Sequence, residues 1–207
     1  MPVVGKLISA AIMGNFASKS ILGTNAIDIA DGVGASVATH ITTPNMLSFT
    51  CSGVAGPTGT ATSVAVAGIV AVAMSNFMRA RASQVGLGAG GRDIGSLFSA
   101  IANGVSQVMM GSIVQGTFAG LAVGGGTAKL TLINAQVLTK LMQANFASKG
   151  LIGRDINKIA DCISYGVVNQ LKAGATYTIV VSGVVAPVAP AGPVAVSGIP
   201  AIYSKIN

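Results

Sequence analysis

The chain has 207 residues, of which 51% are hydrophobic and only 8% charged, and twelve Lys and Arg against five Asp give a formal charge of +7. Soluble domains usually carry about 25% charged residues. The apolar share excludes disorder caused by low hydrophobicity. Five Asp, one His and two Cys, with no Glu, argue against general acid–base catalysis. We therefore expect a structural protein and not an enzyme, with no cofactor, metal site or small-molecule substrate.

The two ends of the chain are copies of each other. When the sequence is shifted by 130 positions, the motif NFASK at Asn15–Lys19 falls on the same motif at Asn145–Lys149. Further identities follow at this one offset as far as Ile69 and Ile199. Matches at a fixed offset over more than fifty positions indicate a duplicated module.

A third and more divergent copy lies between them. Arg92–Ile94 matches Arg154–Ile156 at an offset of 62 positions, and Asn76-Phe77 echoes the NF pair of the other copies. We predict three tandem modules of about 65 residues, at 1–70, 71–133 and 134–207, the second with a Gly-rich insertion at 86–91.

Each module is predicted to begin with two helices. The first carries an apolar stripe, formed by Leu7, Ile8, Ala11 and Ile12 in copy one and by Val137, Leu138, Leu141 and Met142 in copy three. The second begins near Asn25 or Asp155 and runs to about Thr39 or Leu171. Its apolar positions step by three and four residues, which is typical of an amphipathic helix; in copy three they are Ile156, Ile159, Ala160, Ile163 and Val167.

A β-hairpin is predicted to follow the helices. In copy three Thr176–Val181 is β-branched and aromatic, Ala186–Pro193 reads as a Pro-rich loop, and Val194–Ser197 alternates. The predicted fold class is therefore α+β, with three tandem repeats that are each a helical pair followed by a β-hairpin. Because an isolated hairpin is marginally stable, the three hairpins are expected either to pair into one sheet or to complete sheets on neighbouring subunits.

Three uncharged stretches exceed the roughly 20 residues of a membrane-spanning helix: Gly32–Met78, Ile94–Ala128 and Ala173–Ser204. The third contains four prolines, a density that a helix interior does not accept. The first stretch aligns with it, so we expect no membrane span. Lys6 and the apolar run after it resemble a short signal peptide, but the run recurs at 137–143 and belongs to the module, so cytosolic production is expected.

Several motifs suggest chemistry that their context argues against. Gly86-x-Gly88-x-x-Gly91 matches a dinucleotide fingerprint, but a helix and not a strand precedes it, so a flexible loop is predicted. His40 is predicted to be solvent-facing or at a helix end, because its counterpart in copy three is Gln170. Asp31 and Asp161 recur across copies and are interpreted as helix-surface or inter-helix hydrogen-bond acceptors rather than metal ligands.

The basic residues are scattered, and aromatic residues make up only 4%, which argues against stacking on single-stranded nucleic acid. Arg79, Arg81 and Arg92-Asp93 flank the insertion and are interpreted as a solvated loop, with contact to an acidic partner as the alternative. Cys51 and Cys162 are interpreted as buried free thiols, and a single disulfide between them is left open.

A soluble chain with so few charges exposes apolar surface, and such surface usually marks interfaces. Strand edges add a second tendency to associate. We therefore expect a homo-oligomer or a subunit of a larger assembly.

The pattern of an Ala/Gly-rich helix, strands such as YTIVVSG, a loop such as PVAPAGP and a VxVxGI run resembles small virion structural proteins of tailed bacteriophages. The resemblance rests on Ile159–Val168, Thr176–Gly183, Pro187–Ile199 and their counterparts in copy one. It implies no catalytic residues. The triplication and the Gly-rich insertion depart from the pattern.

The resemblance implies a non-enzymatic subunit of a tailed-phage virion, placed in the tail, baseplate or neck, made in the host cytoplasm and acting through packing against other virion proteins and copies of itself. One alternative is a capsid decoration or cement protein. Two others come from different classes: a membrane-active, holin-like protein, and an enzyme or nucleotide-binding protein built on the Gly86–Gly91 loop.

Overall fold

The structure, a computed structural model, describes the backbone of residues 5–42, 48–55, 61–67, 70–84, 92–119, 123–130, 133–174, 176–182 and 194–206, and side chains within 5–41, 70–84, 93–112 and 133–173. Its helices come as three pairs, each with 14 residues followed by 19: α1 (Gly5–Ser18) and α2 (Thr24–Thr42), α3 (Ala71–Gln84) and α4 (Arg92–Met110), α5 (Ala135–Ser148) and α6 (Ile156–Gly174).

The predicted α+β fold class is wrong for the part of the chain whose side chains are described, because that part is 85% helical and contains no strand. Nearly all of its buried side chains lie on the six helices. Apolar residues at helical spacing therefore make this core, and the β-branched runs that suggested hairpin-bearing modules contribute no described side chain to it.

Between the helices the backbone follows six strands: β1 (Ser48–Ala55), β2 (Ala61–Ala67), β3 (Ile113–Ala119), β4 (Val123–Leu130), β5 (Thr176–Ser182) and β6 (Val194–Ile206). They pair antiparallel in chain order, and β6 also pairs with β1. β2 pairs with β3 and β4 with β5, so strands of different modules are also neighbours. The predicted loops at 186–193 and 86–91 lie outside the described residues.

The six helices form a closed ring. Each helix contacts the helix before it and the helix after it in the chain, and α1 also contacts α6. Three helix pairs of equal length in such a ring approximate threefold symmetry within one chain. The module boundaries at residues 70 and 133 stay a prediction.

The second helices share one buried pattern. Four apolar positions, spaced by three, four and four residues, are buried in each of α2, α4 and α6. The second helices predicted for copies one and three are confirmed. The equivalent sets are Ala30, Val33, Val37 and Ile41; Phe98, Ile101, Val105 and Met109; and Ala160, Ile163, Val167 and Leu171. None of the helices in the described residues is long and apolar enough to cross a membrane.

The first helices bury every fourth residue, and this register corrects the alignment of the middle copy. The buried sets are Ile8, Ile12 and Phe16; Met74, Met78 and Ala82; and Leu138, Met142 and Phe146. The place of Phe16 and Phe146 is thus taken by Ala82, and Phe77 of the NF echo is exposed. On the second helix of the middle module, Phe98 stands where the other two modules have the buried residues Ala30 and Ala160. Each module therefore has one phenylalanine and one alanine at these two positions, one on each helix. A volume-conserving exchange of this kind is well tolerated in cores.

Candidate assembly surface

The modules meet where the second helix of one packs on the first helix of the next. Small residues occupy equivalent positions at all three junctions: Ser36 on α2, Gly104 on α4 and Gly166 on α6. The Ser36 hydroxyl donates a hydrogen bond to the carbonyl oxygen of Met74 at 2.9 Å. A Cβ on Gly166 would lie 2.6 Å from Cγ1 of Ile12. The small side chains therefore allow the close approach of helices that closes the ring.

Ion pairs join two of the three junctions. Asp31 on α2 accepts a hydrogen bond from Nε of Arg81 on α3 at 2.9 Å, and Asp161 on α6 accepts one from Nζ of Lys19, the residue just after α1. Hydrogen bonding and Coulomb attraction from Asp161 raise the pKa of Lys19 above its usual value. The interpretation of both aspartates as inter-helix acceptors is confirmed. Ser99 is the equivalent residue at the α4–α5 junction.

The basic residues before the Gly-rich insertion do not lie in a loop, and that prediction is wrong. Arg79 and Arg81 belong to α3, and Arg79 donates a hydrogen bond to the carbonyl oxygen of Gly95 at 2.9 Å. Both arginines therefore connect helices. The insertion itself, including the fingerprint glycines at 86, 88 and 91, lies outside the described residues.

His40 lies in the last turn of α2, as predicted, but it is buried and not solvent-facing. Its Nδ1 donates a hydrogen bond to the carbonyl oxygen of Ser36 at 2.9 Å, and its ring meets that of Phe77 edge-on, with 6.4 Å between centroids. Nε2 has no hydrogen-bond partner in the structure as described. Among the described residues no Ser or Asp side chain bonds to the ring, which packs in the core.

The remaining candidate residues are a cysteine on α6 and an aspartate just before it. Cys162 is a buried free thiol, as predicted, and burial raises its pKa, which keeps it in the unreactive thiol form. Nothing is described for the side chain of Cys51. Asp155, just before α6, pairs with Lys158, and this hydrogen bond lowers the pKa of the carboxyl group. The described residues contain no cluster of three or more metal-ligating side chains.

The charges are distributed unevenly along the helices. All five aspartates lie in the first eight residues of a second helix or just before it, toward the end of the ring where the first helix of each pair ends and the second begins. We call this the loop end. The opposite end, where the helices adjoin the strands, is the strand end. Its described charged side chains are all lysines and are exposed: Lys6, Lys140 and Lys172.

Large apolar side chains are exposed at both ends, in pairs related by the 130-residue offset. At the loop end Leu22 and Ile152 are 76% and 95% exposed, and at the strand end Leu7 and Val137 are 45% and 49% exposed. Val72, in the first turn of α3, is 69% exposed. Two diverged copies thus keep a large apolar residue at the same open position, as expected for contact surfaces.

These surfaces were not predicted from the sequence. Leu7 and Val137 belong to the apolar stripe predicted for the first helix, but both are exposed, and Leu22 and Ile152 were not singled out. The available signal was the four-residue spacing of Ile8, Ile12 and Phe16, which leaves the residue before Ile8 beside the buried face. Comparison with protein-family models, curated proteins and solved structures finds no match to the chain.

Proposed function

We propose that the chain is a non-enzymatic structural subunit of a tailed-phage virion, in the tail, baseplate or neck, and that it works by packing against neighbouring subunits. The closed ring of three helix pairs carries this proposal. A single chain with an approximate threefold arrangement presents similar contact positions around one axis, and two stacked chains present six.

The exposed apolar pairs support an assembly role. Ile152 is almost fully exposed. Burial of its side chain against a partner would stabilise the complex by about 25 cal/mol per Å² of apolar area. Leu22, the equivalent residue in copy one, is also exposed and offers a second contact of the same kind. The resemblance of the helix and strand motifs to tailed-phage virion proteins supplies the biological setting.

Quantitative mass spectrometry of gradient-purified phage particles tests the proposal, with the soluble fraction of the same lysate as the control. We expect the chain to co-purify with particles at a constant ratio to a tail protein. Recovery only outside the particles would contradict it.

A capsid decoration subunit is the second candidate, because a body with approximate threefold symmetry matches the local threefold axes of an icosahedral shell. Electron microscopy of particles labelled through an epitope on the chain separates the two. Label on the tail, baseplate or neck supports the first proposal, and label distributed over the shell supports the second.

A further inference from the structure

We propose that the strand end of the helical ring binds acidic segments of neighbouring virion proteins that also present apolar side chains, one on α1 at Lys6 and Leu7 and one on α5 at Val137 and Lys140. This inference rests on the proposed structural role and names the chemistry of its partner. It starts from the coincidence of exposed apolar and exposed basic side chains in the first half of both helices.

Both features lie in the first half of each helix. Leu7 is the third residue of α1 and follows Lys6 directly, and Val137 is the third residue of α5, three positions before Lys140. Side chains three positions apart on a helix are neighbours, so Val137 and Lys140 share one face of α5. Lys6 and Leu7 are consecutive and project in different directions from the first turn of α1, so a partner segment has to cross that turn to contact both. All four residues are exposed to solvent.

Charge complementarity selects the partner. No carboxylate lies among the described side chains of the strand end, because all five aspartates are at the loop end. An acidic segment thus meets attraction without local repulsion, and complementary charge of this kind steers association and fixes specificity. The first turn of α3 has exposed Val72 but no neighbouring described lysine, so two full binding positions are expected per chain.

The proposed structural role favours protein partners over a membrane surface, since the neighbours of a virion subunit are proteins. Both positions lie at the strand end of the ring, where α6 separates α1 from α5. Binding to lipid is therefore the outcome that the experiment has to exclude.

The full-length protein is titrated with a fluorescent amphipathic peptide in which Leu and Glu alternate at helical spacing, and with a second peptide in which Lys replaces Glu. We expect the acidic peptide to bind at two positions per chain and the basic peptide not to bind. Affinity for the acidic peptide should fall at least about tenfold between about 50 mM and about 300 mM salt.

The double variant Leu7→Ser/Val137→Ser should lose at least about tenfold in affinity for the acidic peptide. The matched control, Leu22→Ser/Ile152→Ser, removes an equivalent exposed apolar pair from the loop end and should bind as the unaltered protein does. Thermal unfolding shows that each variant is folded. Equal binding of both peptides, absence of binding, or loss of binding in the control variant would overturn the inference.

Vesicles containing phosphatidylglycerol provide the remaining arm. Vesicle binding that depends on Leu7 and Val137 would assign the surface to lipid and overturn the inference. The fate of the proposed function is read separately, from the presence of the chain in particles. If the chain is found in particles but its strand end binds no acidic peptide, the proposed structural role stands and only the proposed binding surface is refuted.

Discussion

At the scale of single residues, the duplicated chain provides its own controls. Where residues at an offset of 130 positions share their backbone conformation, a difference in side chain between them isolates one physical effect. The turn after the first helix shows this best. Ile21 and Leu151 each donate a backbone hydrogen bond to the phenylalanine carbonyl five residues earlier, at 2.9 and 3.0 Å.

Ser20 and Gly150 occupy this turn with φ angles of 58° and 69°. The left-handed conformation costs a residue with a Cβ roughly 1–2 kcal/mol, and glycine adopts it freely. We expect Ser20→Gly to stabilise the protein by about 1 kcal/mol and Gly150→Ser to destabilise it by about the same amount. Urea unfolding measures both, and a loss of stability in Ser20→Gly would contradict the explanation.

The Lys19–Asp161 pair makes stability depend on pH in the alkaline range. The folded-state pKa of Lys19 lies above the ordinary value of 10.5, so the contribution of the pair is complete below that pH and is lost as pH rises through the folded-state pKa. We expect the unfolding temperature of Lys19→Met to lie below that of the unaltered protein at pH 9, and the difference to shrink above pH 10.5.

Lys149→Met is the matched control, because Ser99 at the equivalent position offers no carboxylate. Its difference from the unaltered protein should not shrink in the same pH range. A constant difference for Lys19→Met across the range would show that the pair contributes nothing to stability.

At the scale of helices, the approach of α6 to α1 depends on a missing side chain. A Cβ on Gly166 would lie 2.9 Å from the backbone nitrogen of Ile12, whereas a Cβ on Gly14 would meet nothing within 4 Å. We expect Gly166→Ala to destabilise the protein by roughly 1–3 kcal/mol through overpacking. Gly14→Ala should stabilise it by about 1 kcal/mol through helix propensity.

Thermal or urea unfolding of the two variants measures the contrast. Both add one methyl group to a glycine inside a helix, so their difference isolates the contact with α1. Equal effects of the two substitutions would mean that the helices can separate at no cost.

The α4–α5 junction lacks the acid that the other two junctions use. Ser99→Asp places a carboxylate at the position equivalent to Asp31 and Asp161 and lets Lys149 form the corresponding pair. We expect a gain of about 0.2–1 kcal/mol, because the pair would be partly exposed. The gain should decrease with salt and be absent in Ser99→Asn, and a gain of the same size in Ser99→Asn would rule out an ion pair.

At the scale of the whole molecule, the three helix pairs share one core. Each second helix contacts the first helix of the next module, and α6 closes the ring on α1. We therefore expect the helical body to unfold in a single cooperative transition, with equal calorimetric and van't Hoff enthalpies. Scanning calorimetry with circular dichroism at 222 nm checks this, and two resolved transitions would show that the modules are separate domains.

Some features of the structure could be predicted from the sequence and others could not. The helices could be predicted because their signal is local: apolar residues recur every three or four positions, and Ala160, Ile163 and Val167 are buried as that spacing requires. The exposure of Leu7 could not be predicted in this way, since Leu7 and Ile8 are both large and apolar. Only the rotation of α1 against its neighbours determines which of them is covered.

By itself, the sequence determined the duplication, the six helices and the scarcity of charge, because repeat offset, periodicity and composition are properties of the chain read residue by residue. The tertiary structure decided that the described core is helical, that the helix pairs close into a ring, and that the five aspartates lie toward one end of it. Those features depend on contacts between residues far apart in the chain, such as Lys19 with Asp161 and Gly166 with Ile12. No local pattern encodes which distant partner a helix face will meet.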